Sequence, residues 1–417
     1  MVAFMQAVLS AMFRRFITRG RLSVRWPDGR ISSYAGPSGS GPEATIHLRD
    51  AATVRRLIIN PALMVGEAYM DGGLVPDERG IYPVLDVMAL NLMANGQGDP
   101  LGRLRAVLGY LKRRIDQHNP MARAQRNAAH HYDLNGRLYS LFLDRDRQYS
   151  CGYFPHDETT LEEAQVAKKR HIAAKLCLDR PGLTVLDIGS GWGGLALSLA
   201  REHGARVTGI TLSAEQLAES RQRAAAEGLA DRVSFELLDY RVVDRRFDRI
   251  VSVGMFEHVG VGHYREFFAV IARCLDPDGV ALLHAIGRSD GPGFTNPWIA
   301  KYIFPGGYCP ALSEVLVPVE RSGLIATDLE VLRLHYAETL HHWRRRFTAN
   351  RDTIAAIYDE RFCRMFEFYL CGAEIAFRRE GHMVFQLQLA HRQTAVPLTR
   401  DYITDSERRF EHVRAHA

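Results

Sequence analysis

The sequence predicts an α/β chain: a parallel sheet with helices on both faces, preceded by a smaller α+β domain. Three observations predict it. From about residue 180, strand-like runs at Thr184–Ile188, Ala205–Ile210, Val233–Leu238, Arg249–Val253 and Val280–Ala285 alternate with helix-like runs at 194–203, 214–227 and 263–275. Strand, helix, strand at this spacing builds a parallel sheet buried on both sides. A glycine-rich turn, Gly189 to Gly194, follows the first strand and opens a helix. Residues 22–48 show the two-residue alternation of half-buried strands instead.

In the N-terminal part, Val2–Phe13 reads as an amphipathic helix that stops at Arg14-Arg15. No small-residue cleavage site follows it, which argues against a secretory leader. Leu22, Val24 and Trp26 alternate, and Pro27-Asp28-Gly29 turns the chain. The loop Pro37–Pro42 separates this strand region from Ala44–Leu48, and Asp50 is placed to cap a helix over 51–59. Residues 98–115 read as a basic amphipathic helix. Leu101, Leu104, Val107, Leu108, Leu111 and Ile115 supply its apolar stripe, and Arg103, Arg105, Lys112, Arg113 and Arg114 its charge. Such a helix lies on an anionic membrane or docks on a neighbouring domain. The polar segment 117–130, broken by Pro120, is the expected linker, giving an accessory domain at 1–116 and a second domain at 131–417.

The chain has 417 residues, 47% apolar and 24% charged, which excludes wholesale disorder and a disulfide-stapled miniprotein. No apolar stretch reaches the roughly 18 residues of a membrane span. A soluble or peripheral, cytoplasmic protein is expected. The net charge of +5 is mild, and no nucleic-acid partner is expected. The only lysines are Lys112, Lys168, Lys169, Lys175 and Lys301, so 48 of the 53 basic residues are arginine. A GC-rich genome explains this; so does bidentate recognition of phosphate head groups. Six cysteines without C-x-x-C or zinc spacing suggest free thiols in a reducing compartment.

The glycine turn carries the chemistry. Gly189, Gly191 and Gly194 formally satisfy the dinucleotide pattern G-x-G-x-x-G. A nicotinamide reading wants an acid about 20 residues on, for the ribose. That region is Gly209-Ile210-Thr211-Leu212, without one. The acid present, Asp187, stands two residues before the first glycine. D-x-G-x-G after a first strand looks like the S-adenosylmethionine loop of class I methyltransferases, a Rossmann-like fold. Ser213 can cap the next helix, with Gln216 completing a capping box and Leu212 and Leu217 at the staple positions. Gln216 therefore has two readings, cap or ligand contact. Asp239-Tyr240, after the third strand, sits where an adenine would be met, with Asp239 alternatively capping its loop.

Taken together the motifs resemble one family, the cyclopropane-fatty-acid and mycolic acid cyclopropane synthases. The matching segments are HYDL (131–134), FLDRDRQYSCGYF (142–154), VLDIGSGWGGLA (185–196), GITLSAEQ (209–216), GMFEHVG (254–260), HAIG (284–287) and WIAKYIFPGG (298–307). GEAYMDG (66–72) is similar to the accessory domain of longer bacterial members. The sequence departs at Asn135-Gly136 and at Ser190, where many relatives carry Gly-Asn and Cys.

The resemblance implies methyl transfer from S-adenosylmethionine to a cis double bond of a phospholipid acyl chain, followed by loss of a proton and ring closure. Such a site must exclude water and surround a carbocation with π faces or negative charge. The implied base is a bound bicarbonate ion. The positions that match are Cys151, Glu257, His284 and Tyr336, with the backbone at Ile286. Read alone, Cys151, His284 and Tyr336 would pass for core residues. For the methyl donor the resemblance adds Tyr149 and Ser150 to Asp187, Gly189, Gly191, Thr211, Leu212, Gln216, Asp239 and Tyr240. It also implies peripheral membrane association at the inner face and allows a homodimer. Tyr149, Tyr153, Phe154, Phe256, Tyr302, Phe304 and Tyr308 would suit an acyl channel, although core packing explains any one of them. Cys, Glu and His also invite a zinc reading, but no pair has ligand spacing, and the pair His258 and His263 is loop-borne. Three rivals remain: the same fold and cofactor giving a methylated or desaturated chain or acting on a small molecule, a nicotinamide oxidoreductase, and a lipid-binding protein without catalysis.

Overall fold

The computed structural model describes residues 2–37, 40–95, 117 and 136–415. The basic helix expected over 98–115, nearly all of the linker at 117–130, and HYDL (131–134) lie outside the described residues. The chain divides into two compact units, and the division is not collinear. Among the described residues, 294–305 and 340–382 group with the N-terminal segment up to Asn95, although the sequence pattern assigns them to the second domain.

In the first unit, helix Val2–Phe16 precedes a four-stranded sheet of β1 Arg21–Arg25, β2 Ile31–Ala35, β3 Glu43–Leu48 and β4 Leu74–Pro76, in the order β2-β1-β3-β4. The β1–β2 hairpin closes through Gly29 N–H donating to the Trp26 carbonyl at 2.9 Å. Alternation sorts the faces: Leu22 and Val24 of β1 and Ile46 and Leu48 of β3 are fully buried. Asp50 caps helix Ala51–Ile59 as the sequence predicts, accepting from Thr53 N–H at 2.7 Å. Glu67 of the GEAYMDG segment is buried and neutralised by Arg56 at 2.8 Å and Lys301 at 2.7 Å, with the Tyr302 hydroxyl donating at 2.9 Å. It is an anchor of this unit.

The second unit carries a seven-stranded sheet. Its strands are β5 Thr184–Ile188, β6 Arg206–Thr211, β7 Val233–Leu237, β8 Phe247–Val253, β9 Leu275–Arg288, β10 Ile325–Val331 and β11 His382–Ala390, in the order β10-β11-β9-β8-β5-β6-β7. The pairs β5–β6, β6–β7, β5–β8 and β8–β9 are parallel, and β10–β11 is antiparallel. The chain runs outward from β5 to β7, then returns to β8 on the other side of β5. Strand order reverses between β5 and β8, which opens a crevice at the carboxyl ends of the strands, where ligands of doubly wound sheets bind. Helices Gly194–His203, Ala214–Ala226 and Tyr264–Cys274 cover the faces. Ser213 caps the second of them, accepting from Gln216 N–H at 3.3 Å.

Helix Leu161–Lys175 opens on a capping box: Thr160 accepts from Glu163 N–H at 3.3 Å, and the Glu163 carboxylate accepts from Thr160 N–H at 2.9 Å. His171 of this helix lies between two carboxylates, with Nδ1 2.7 Å from Glu407 and Nε2 2.8 Å from Glu330. Burial lowers its pKa, but the hydrogen bonds that the imidazole donates to both glutamates outweigh burial and the repulsion of Lys175, and the net shift is upward from 6.5. A raised histidine pKa adds stability that is complete below the ordinary value and is lost as pH rises through the folded one. Helix Asp401–Ala415, which carries Glu407, is therefore expected to lose protection from hydrogen exchange as pH climbs above the usual histidine range. His171→Gln should remove that pH dependence. A pH-independent opening free energy in the wild type would show that the glutamates do not hold a charged imidazole.

Candidate active site

The carboxyl ends of β5 and β6, with the loops after β7 and β8, enclose one cavity. Gly189, immediately after β5, sits at φ +85°, and a Cβ there would lie 2.9 Å from the Met255 Cβ. Only glycine lets the turn pass this close. Gly194 has a different reason: a Cβ would overlap the Asp146 carboxylate and the Gln148 amide. The third glycine of the pattern thus makes room for the 146–148 segment.

All ten residues expected to meet the methyl donor line this cavity: Tyr149, Ser150, Asp187, Gly189, Gly191, Thr211, Leu212, Gln216, Asp239 and Tyr240. Asp187 is 2% exposed, and its Oδ2 has no hydrogen-bond partner among the described residues. Burial raises its pKa to about 7, against a lowering by the Lys168 charge. At the tip of β6, where a nicotinamide enzyme would carry an acid, the Thr211 hydroxyl donates to Gln216 Oε1 at 2.8 Å. The two readings of Gln216 now separate. Its side chain does not close the capping box, because Ser213 N–H donates to the Thr211 hydroxyl at 3.1 Å. Its Nε2 is buried with no partner among the described residues. Asp239 does both jobs: it lines the cavity and also caps its loop, accepting from Arg241 N–H at 3.0 Å and from its guanidinium at 2.7 Å. Orphaned polar atoms at Asp187 and Gln216, above a glycine cradle, fit an amino-acid-bearing nucleoside.

Of the other expected site residues, none of which is in this lining, Cys151, Glu257, His284 and Tyr336 are buried and Ile286 is half-buried. Glu257 follows β8 in the short turn Phe256–His258; its Oε1 accepts from Ile286 N–H at 2.6 Å, and its Oε2 is buried without a partner among the described residues. Burial pushes its pKa up to about 7, the Ile286 bond pulling the other way. The Ile286 N–H is thereby engaged by Glu257. His284 pairs with Val253 across β8–β9. Its Nδ1 is 3.1 Å from the Gln386 amide nitrogen, and its Nε2 is buried without a partner among the described residues. Burial, with the nearby Lys168, Lys175 and His171, holds its pKa well below the ordinary value, so the ring is neutral.

Cys151 is 1% exposed, its thiol 3.2 Å from the Gly152 carbonyl, and burial drives its pKa upward, so it stays a thiol. Tyr336 is buried in the first turn of helix His335–Ala349. Gly152 N–H donates to the Thr339 hydroxyl and Phe154 N–H to His335 Nδ1, both at 2.9 Å, holding the 151–154 segment to that turn.

The aromatic residues do not form a single set. Phe256 is fully buried in the core, stacked on Tyr264 at 4.3 Å; Tyr153 stacks between His171 and His335 at 4.3 and 4.9 Å. The Tyr308 hydroxyl donates to Glu314 at 2.7 Å, while Tyr302 and Phe304 belong to the first unit. Gln148, Trp192 and His258 line the cavity although the sequence reading did not select them. Each stands inside a quoted motif, one to three residues from a selected position, which was the available signal.

A sheet of this order, with a glycine cradle and an orphaned acid at the end of its central strand, defines a class I S-adenosylmethionine-dependent methyltransferase. Residues 119–387 match the family model described as mycolic acid cyclopropane synthetase. The chain belongs to that family. It is 39% identical over 351 residues to the cyclopropane-fatty-acyl-phospholipid synthase of Escherichia coli, covering 84% of this chain and 88% of that one. It is 36% identical over 400 residues to the tuberculostearic acid methyltransferase UfaA1 of Mycobacterium tuberculosis, covering 92% and 91%. Among solved structures, the cyclopropane synthase MmaA2 of Mycobacterium tuberculosis superposes with a TM-score of 0.61 at 34% identity, over 66% of this chain and 99% of that one. The mycolic acid cyclopropane synthase CmaA1, complexed with SAH and CTAB, gives 0.60 at 34% identity over the same shares.

Proposed function

We propose that the chain transfers a methylene unit from S-adenosylmethionine to the cis double bond of unsaturated phospholipid acyl chains, forming a cyclopropane ring. The observation that carries this reading is a buried acceptor, Glu257 Oε2, and a buried ring nitrogen, His284 Nε2, both without partners among the described residues; Glu257 stands in the turn beside His258 of the cavity wall, and His284 pairs in β9 with Val253 of that wall. Methylation of an alkene leaves a carbocation, and ring closure requires the transferred methyl group to give up a proton to a base inside the sealed site.

The donor supplies an electrophilic methyl group and bicarbonate, held by Cys151, Glu257, His284 and Tyr336, supplies a base. The chain does the rest. Asp187 sets a negative charge beside the positively charged donor, and Gln216 orients it through the amide nitrogen that Thr211 leaves free. Glu257, fixed by Ile286 N–H, presents its second oxygen as an acceptor. His284, neutral and with Nδ1 engaged by Gln386, presents Nε2–H as a donor. Cys151 remains a thiol, which neither competes as a nucleophile nor adds charge. Burial of all four side chains excludes the water that would trap a carbocation.

No helix among the described residues is long and apolar enough to cross a membrane. Helix Val2–Phe16 exposes Val2, Phe4 and Met12 and ends on exposed Arg14 and Arg15. We assign it to the inner face of the membrane, where apolar contact and anionic head groups act together.

Labelled S-adenosylmethionine and unsaturated phosphatidylglycerol or phosphatidylethanolamine vesicles test the reading. The expected product is heavier by one CH2 and resists ozonolysis, because the double bond is gone. A product of the same mass that ozone still cleaves would favour the second reading, a methylated, still unsaturated chain. The names of two relatives support it: UfaA1 and a probable fatty acid methyltransferase of Pseudomonas putida, 36% identical over 351 residues.

A further inference from the structure

Helix Leu161–Lys175 carries three of the chain's five lysines, and all three are buried. Elsewhere the chain uses arginine almost exclusively. A guanidinium is a broad planar fork, whereas an ammonium is a compact, strongly hydrated point charge with three donors, so burying one is costly. Lys169 is paired with Asp146 at 2.6 Å, and Lys175 with Asp328 at 3.4 Å and, more closely, with Glu330. Lys168 differs. It is fully buried, and among the described residues no carboxylate lies within ion-pair distance. Its ammonium donates to two neutral groups: Gln148 Oε1 at 2.6 Å and the Ser150 hydroxyl at 2.9 Å. A buried charge without an ion-pair partner is costly, and a fold retains one where it does something else.

Both partners line the donor cavity and flank Tyr149, which lines it too. We propose that Lys168 is a positioning residue of the donor site: its ammonium fixes Gln148 and Ser150 on either side of Tyr149 and gives the buried Asp187 carboxylate a positive neighbour. This rests on the reading that the cavity takes S-adenosylmethionine. The charge at Lys168 lowers the pKa of Asp187, which burial raises, and so favours the ionised acid that attracts the donor. The charged and titratable groups that feel Lys168 are Asp144 and Asp146 from the preceding loop, Lys169 from its own helix, Cys151, Asp187 of β5 and His284 of β9. Arg147, His258, Asp239 and Arg241 stand on the cavity wall. Burial lowers the pKa of Lys168 itself to about 8, so the ammonium is mostly charged at neutral pH and is lost just above it.

The test is S-adenosylmethionine affinity by calorimetry on the full chain, from pH 6 to 9, for the wild type and Lys168→Met. Methionine keeps an unbranched apolar stem and removes the charge. The ligand's own titration is common to both proteins. We expect the wild type to bind best between an acid and an alkaline limb. Lys168→Met should bind at least 10-fold more weakly at pH 7.5, lose the part of the alkaline limb due to the lysine, and show its acid limb displaced upward by about one pH unit. Equal pH midpoints in the two proteins, whatever the affinity, would mean packing alone and would overturn the proposal. If Lys168→Met does not fold by circular dichroism, Gln148→Glu replaces it, since a carboxylate on the ammonium cancels the field. The same upward displacement supports the proposal, and an unmoved midpoint overturns it. A wild type that binds no S-adenosylmethionine at any pH would instead sink the donor reading.

Discussion

Asp187→Asn is expected to lower S-adenosylmethionine affinity by at least about 100-fold, the loss that follows when one partner of a buried charge pair is removed. At the same time it should raise the melting temperature of the ligand-free protein. The two effects have one cause. Asp187 is 2% exposed, its Oδ2 lacks a partner among the described residues, and burial has pushed its pKa from 3.8 to about 7. A carboxyl whose folded pKa is raised costs stability once pH exceeds its unfolded value, and the cost is complete above the folded one. At pH 8 this amounts to about 4 kcal/mol of strain in the empty site. The positively charged donor relieves it on binding, so part of the binding free energy is stored in the fold beforehand. Asparagine keeps the shape and removes the charge. Calorimetry and thermal unfolding at pH 8 check both halves. Unchanged affinity would remove Asp187 from the donor site, and a variant less stable than the wild type would show that the acid is a structural partner instead.

The parts of the fold with a local rule behind them were legible in the sequence. β5, β6 and β8 are short apolar runs bounded by glycine or polar turns, and their positions agree with expectation to within a residue or two. Asp50 and Ser213 act as caps because a short polar side chain ahead of a helical run has few other uses. β11 was not legible. Gln386 and Gln388 interrupt its apolar run, and both are buried, so the strand reads as a mixed segment. Helix Leu161–Lys175 was missed for a similar reason: buried lysines disguise its inner face, although the Thr160 and Glu163 capping box was readable. The ten residues selected for the donor all line the cavity, eight of them because they stand in or just after β5, β6 and β7, while Tyr149 and Ser150 came from the resemblance and Gln148, Trp192 and His258 were not selected. The roles proposed for Glu257 and His284 rest on resemblance, although Glu257 stands just past an apolar strand, at the sheet edge where sites form. The two residues are 27 positions apart, and only the β8–β9 register brings their segments together. Gln386, which fixes the orientation of His284 from a strand about 100 residues further on, has no local signal at all.

Glu257→Gln is expected to lose turnover on the order of 10²-fold while S-adenosylmethionine affinity stays within a factor of two. The substitution is nearly isosteric. A glutamine can still accept from Ile286 N–H with its oxygen, in place of the present 2.6 Å bond, and it then presents an NH2 where Oε2 now stands. An acceptor becomes a donor at the one atom that burial leaves open, and nothing else need move. Bicarbonate offers an acidic hydroxyl to an acceptor and oxygens to donors. Glu257 with His284 matches that pattern, whereas a glutamine in its place beside His284 would offer two donors and no acceptor. Glu257 does not line the donor cavity, so donor binding should be indifferent to the change. Its pKa near 7 adds a pH signature. At saturating S-adenosylmethionine, where the Asp187 limb of donor binding no longer shows, wild-type turnover should rise through pH 7 as the acceptor ionises, and the Gln variant should lack that limb. Enzyme freed of bicarbonate should be stimulated by adding it back, the variant far less. Full activity in Glu257→Gln, or indifference of depleted wild-type enzyme to added bicarbonate, would show that the proton leaves by a route that does not use this pair.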